Sequence, residues 1–95
     1  MENELIKSIG AVLKMLRIVN GLSQKEICQK IGISISFLSA IENGKQKSDL
    51  KMLEAYSEAL NIKKSDIILS AEEFIANEFS YPKKMSILLE RTARL

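Results

Sequence analysis

The 95-residue chain has no histidine and one cysteine, Cys28, so its acid-base groups are carboxylates and lysines. Imidazole-dependent dyads and zinc sites of the Cys/His type are excluded by that inventory. No carboxylate or lysine pair has a spacing that demands catalysis, so neither an enzyme nor a cofactor is expected. What remains is recognition by hydrogen bonding, charge and small apolar contacts. The residues that could supply it gather in two stretches, "SQKE" at Ser23–Glu26 and "KIGISISFLSAIENGKQKS" at Lys30–Ser48.

In the second stretch a glycine, Gly32, follows one short apolar run, and serines open another that carries Phe37 and Leu38 and stops at Asn43-Gly44. Two short helices meeting at a tight angle fit that order, a shape that commonly presents one helix to the major groove of DNA. The presenting helix, Ser34 to Glu42, has no arginine, lysine, glutamine or asparagine in its first two turns. Any reading it performs falls to small hydroxyls, methyl groups and the local shape of the duplex.

The elements that must hold these residues are helical. The composition, 46% hydrophobic and 27% charged with one proline, is that of a globular chain with long stretches free to be helical. Leu5, Ile9, Val12, Leu16 and Val19, widened by Ile6 and Leu13, form one apolar stripe of a first helix from Glu4 to Val19, ended by Asn20-Gly21. Lys7, Lys14 and Arg17 interrupt that segment too often for a bilayer span. "SQKE" is a capping box that starts a second helix at Gln24, running to about Ile31 with Ile27, Cys28 and Ile31 inward. Inward residues of the third helix are Phe37, Leu38 and Ile41.

A fourth helix is expected to be capped by Ser48, to carry Leu50, Leu53, Tyr56, Ala59 and Leu60, and to close at Asn61. A short fifth, capped by Ser65, would bury Ile67, Ile68 and Leu69. "SAEE", Ser70–Glu73, reads as another capping box opening a sixth helix, which Tyr81-Pro82 must break, and helical register returns over Lys83–Leu95. The division expected is thus residues 1–69 as one domain and 70–95 as a helical extension. The N-terminus lacks the apolar core of a secretory signal, and a lone cysteine forms no internal disulfide, so a cytoplasmic protein is expected, without membrane contact. A net charge of +2 proves no nucleic-acid partner; the placement of the charges matters more.

The order of elements resembles the lambda-repressor/Cro-like helix-turn-helix family, the XRE type of transcriptional regulator. Leu16-Arg17, "GLSQKEICQKIGIS", "FLSAIENGK" and "LEAYSEALNI" carry the resemblance, over roughly Ile9 to Leu69. It implies an all-α, five-helix DNA-binding domain with one or two added C-terminal helices. It also implies a sequence-specific regulator, a dimeric repressor on a palindromic operator. Base contacts would fall on Ser34, Ile35, Ser36, Ser39 and Ala40, and phosphate contacts on Gln24, Lys25, Asn43, Lys45, Gln46 and Lys47. Arg17 and Glu42 would pair across the core, or stand as two solvated charges. Cys28, where the family usually has alanine, would act as a small hydrophobe. Ile35 could equally be a core residue.

Beyond the resemblance, Phe74, Ile75, Phe79, Leu88 and Leu89 need burial. They could pack on their own domain, bind a second copy or grip another polypeptide. The last possibility leaves open an antitoxin-type or antagonist-binding protein with a regulatory partner. A restriction-modification controller is similar in size.

Overall fold

A computed structural model of the chain describes residues 2–76. In these residues it has five helices and no strand: α1 (Glu2–Val19), α2 (Gln24–Ile31), α3 (Ile35–Glu42), α4 (Leu50–Leu60) and α5 (Lys64–Ala76). The core is built from Val12, Leu13 and Leu16 of α1, Ile27 of α2, Leu38 and Ile41 of α3, Tyr56 of α4 and Ile67 and Ala71 of α5, all essentially without exposure. Cys28 joins them as a small buried side chain. The Tyr56 hydroxyl, buried with them, donates to the Leu13 carbonyl at 2.6 Å. That bond satisfies the one polar atom the ring carries inside.

The short helices α2 and α3 depend on their ends. Ser23 accepts from the Glu26 amide at 3.0 Å while its own amide donates to the Glu26 carboxylate at 2.9 Å, closing the capping box. Gly32 ends α2 in the left-handed region at φ 74°, where the Gly32 and Ile33 amides both reach the Cys28 carbonyl. A side chain would strain that turn. Ser34 then caps α3, accepting from the Phe37 amide at 3.1 Å.

Where α1 crosses α3, a Cβ on Gly10 would sit 2.0 Å from the Ile41 carbonyl oxygen. Only a residue without a side chain lets the two helices approach so closely. This contact was not anticipated from sequence, because a glycine within a helical stripe has no periodic signature of its own.

Three expectations need correction. Asp49, not Ser48, caps α4, its carboxylate accepting from the Met52 amide at 2.7 Å. Leu50 opens that helix but is 62% exposed, and Ala59 is exposed as well. The fifth and sixth helices are one: α5 runs unbroken across Ser70, so neither Ser65 nor Ser70 caps a helix and the division at residue 69/70 falls inside an element. The reason is packing. Ile67, Ser70, Ala71 and Phe74 are spaced three and four apart and are all buried, forming one face that lies on α1. There the buried Ser8 hydroxyl donates to the Ala71 carbonyl. Three consecutive residues cannot share a helical face, and Leu69 is accordingly exposed while Ile67 is buried.

Phe74, on the same face, is buried within the chain. Ile75 beside it is half-buried. Phe79, Leu88, Leu89, the break at Tyr81-Pro82 and the helix expected over Lys83–Leu95 lie outside the described residues. Among the described residues no helix is long and apolar enough to cross a membrane.

Candidate nucleic-acid interface

The outward side of α3 is made of Ile35, Ser36, Ser39 and Ala40. Ile35 is 46% exposed, Ser36 is exposed, and Ser39 and Ala40 are half-buried one turn further along. The inward side holds Leu38 and Ile41 in the core and Phe37 packed against it. The alternatives left open for Ile35 thus resolve to an outward apolar side chain. Ser34 is exposed, but one lone pair of its hydroxyl is committed to the Phe37 amide, and the Ser36 hydroxyl lies 3.4 Å away. It retains a proton to donate. Asn43, exposed just beyond α3, donates weakly to the Ser39 hydroxyl at 3.5 Å.

Behind this face stands a buried ion pair. Arg17 Nε donates to Glu42 Oε2 at 2.8 Å and Nη2 to Oε1 at 3.0 Å, a bidentate grip from the end of α1 to the end of α3. Arg17 Nη1 adds a bond to the Leu22 carbonyl at 2.9 Å, tying in the loop before α2. The side chains of Arg17 and Glu42 are 11% and 2% exposed. The hydrogen bonds that Arg17 donates to Glu42 raise its pKa above the ordinary value, so the guanidinium is charged throughout. The paired arrangement is the one formed, not two solvated charges.

Glu42 takes a third donor. Gln24 Nε2 donates to Glu42 Oε1 at 3.0 Å, which sequence reasoning missed. An amide nitrogen carries two protons, so one is held by the buried carboxylate and the second remains for an anion. The half-buried Gln24 is the first residue of α2, whose amino end bears a partial positive charge. Lys25 follows it, exposed. Glu26 is fully committed to the capping box, and the Ser23 amide and hydroxyl lower its pKa.

The loop after α3 is folded back on the helix. The Gly44 amide reaches the Ile41 carbonyl at 3.0 Å, and the Lys45 and Gln46 amides both reach the Ala40 carbonyl, at 2.9 and 3.2 Å. Lys45, Gln46 and Lys47 are exposed on this fixed turn. The carboxyl end of α3 therefore meets both the amino end of α2, through Gln24 and Glu42, and the basic turn that follows it, with the Arg17–Glu42–Gln24 chain joining α1, α2 and α3.

A helix-turn-helix family model matches residues 13–67, more than half of the chain. The chain belongs to the helix-turn-helix family. It is of the XRE type, and the match takes in α2, α3 and α4 entirely.

Among relatives in this family, the transcriptional regulator ClgR of Mycobacterium tuberculosis is 29% identical over 70 residues. Those residues are 74% of this chain and 62% of that protein, so the chain spans less than two thirds of its relative. A crystal structure of the clp gene regulator ClgR from Corynebacterium glutamicum superposes with a TM-score of 0.68 at 25% identity, covering 73% of this chain and 90% of the other. A second ClgR structure from that organism reaches 0.75 at 23% identity over 90% of each chain, and shows the shared fold.

Proposed function

We propose that this chain is a DNA-binding transcriptional regulator that inserts α3 into the major groove and acts by occupying a promoter. One observation carries the reading: Gln24, with a proton to donate, and the exposed Lys45–Lys47 turn both stand at the Glu42 end of α3, beside its exposed side chains. Phosphates beside a groove fit such an arrangement, since backbone contacts of this kind set register and orientation. Gln24, Lys25, Asn43, Lys45, Gln46 and Lys47 hold the backbone in this reading, and Ser34, Ile35, Ser36, Ser39 and Ala40 meet base edges. The hydroxyls donate or accept, while Ile35 and Ala40 touch thymine methyl groups.

A helix with no side chain able to make a bidentate pair discriminates weakly from one half-site. Two copies related by a two-fold axis would double the readout, with half-sites about 34 Å apart on one face of the duplex. The segment beyond Ala76, which carries Phe79, Leu88 and Leu89, is the candidate dimer element.

Selection of bound duplexes from a random pool tests both levels. An enriched palindrome with half-sites about one helical turn apart supports the dimeric regulator. Enrichment of a single half-site leaves a monomeric reader, and no enrichment together with salt-insensitive binding refutes the DNA-binding role.

A further inference from the structure

We propose that Lys7, on α1, is a further phosphate-contacting residue, adding a cation to the basic turn after α3; this rests on the DNA-binding reading above. Lys7 lies in the amino-terminal half of α1, remote in sequence from the turn, and outside the segment that the family model matches. The fold brings the two together. A Cβ on Gly44 would lie 2.7 Å from Lys7 Cγ, 3.2 Å from its Cα and 3.3 Å from its Cβ, so the backbone and stem of Lys7 rest directly on the turn that ends α3. Gly44, at φ 72°, is the residue immediately before Lys45.

The placement is rigid. One turn further along α1, Gly10 is wedged against the Ile41 carbonyl, which fixes how α1 sits along α3. The Lys45 and Gln46 amides are bonded back to Ala40, which fixes the turn. Lys7 is exposed, so its apolar stem lies on Gly44 while its ammonium extends into solvent. The carboxylate of α3 does not compete for it: Glu42 is buried and bonded to Arg17 and Gln24. Exposed Glu4, three residues earlier on α1, would make only a screened surface pair, which a polyanion displaces readily. Lys7 thus joins Lys45 about Gly44 at the carboxyl end of α3, and gathered like charges suit a phosphate backbone.

The test is the salt dependence of full-chain binding, measured on a selected site and on a random-sequence duplex. Lys7→Met keeps the unbranched stem and removes the charge. Its plot of log affinity against log salt should be shallower than wild type by about 0.9, with the same loss on both duplexes. Lys7→Arg should retain the wild-type slope. If Lys45→Gln lowers the slope and Lys7→Met does not, the proposal is overturned while the DNA-binding reading stands. A lower melting temperature with an unchanged slope overturns it too, leaving Lys7 a structural neighbour of α3. A wild-type chain that binds no duplex removes both. Should Lys7→Met fail to fold, amine acetylation of the wild type read by mass spectrometry decides: protection of Lys7 by DNA supports the contact, and equal labelling contradicts it.

Discussion

Glu42 accepts from Arg17 Nε and Nη2 and from Gln24 Nε2 with its side chain almost wholly withdrawn from water. A carboxylate so placed is tolerated only because its lone pairs are met, and removing one partner leaves an uncompensated buried charge. Arg17→Ala is therefore expected to cost about 3–5 kcal/mol in urea unfolding. Arg17→Lys should recover only part of that loss, because an ammonium cannot make the two-pronged contact. The pair could be anticipated from the residues; the third bond, from Gln24, could not. It depends on how steeply α2 and α3 cross, which no local pattern encodes.

Burial pushes the Cys28 thiol above its usual range, with Glu42 acting in the same direction, and it pushes the Tyr56 phenol strongly up. The folded chain keeps these protons after the unfolded chain has lost them. Their stabilisation is complete below the ordinary thiol pKa and declines as pH rises through it and then through the phenol range. Urea melts between neutral pH and about pH 10.5 should show that decline, and Tyr56→Phe should flatten its upper part. Cys28 should also resist alkylation in the native chain and react promptly in denaturant, since the buried group has little thiolate to offer.

Helices α2 and α3 are short, so their ends and crossings decide whether they form. Their boundaries were legible because each signal is local: the Ser23–Glu26 box, Gly32, Ser34 and Asn43-Gly44 act on their immediate neighbours. Elsewhere local signals competed with packing. Ser48 and Asp49 are both good caps, and only the geometry of the turn selects Asp49. Asp49→Ala should lower stability by about 1 kcal/mol by thermal melting, with Ser48→Ala close to neutral. Ser65 and Ser70 each resemble a start, yet the face from Ile67 to Phe74 continues through them because α1 offers it a surface to bury against. Gly10 was invisible for a related reason: its role is the absence of a side chain opposite Ile41. Gly10→Ala must push α1 off α3, at a cost of about 1–3 kcal/mol or more. The same shift tilts the reading helix, so DNA affinity should fall even where the chain remains folded.

At the scale of the whole molecule, α1, α2 and α4 form a frame and α3 is the element they present. The family and its all-helical fold could be recognised because the joint spacing of Gln24, Ile27, Gly32, Leu38, Ile41, Glu42 and Gly44 spans three elements at once. The inward stripe of Phe37, Leu38 and Ile41 was legible as well, but the direction of Ile35 was not, since it depends on where the neighbouring helices lie. In the proposed function two kinds of work fall to two groups of residues: Gln24 and the basic turn hold the duplex, and Ser36 reads it. The most direct measurement is the affinity of wild type, Gln24→Ala and Ser36→Ala across every single-base variant of a selected site. Gln24→Ala should weaken all sequences alike, whereas Ser36→Ala should erase preference at one position, by about 1–3 kcal/mol. Equal loss on every sequence for Ser36→Ala would contradict the reading role of α3.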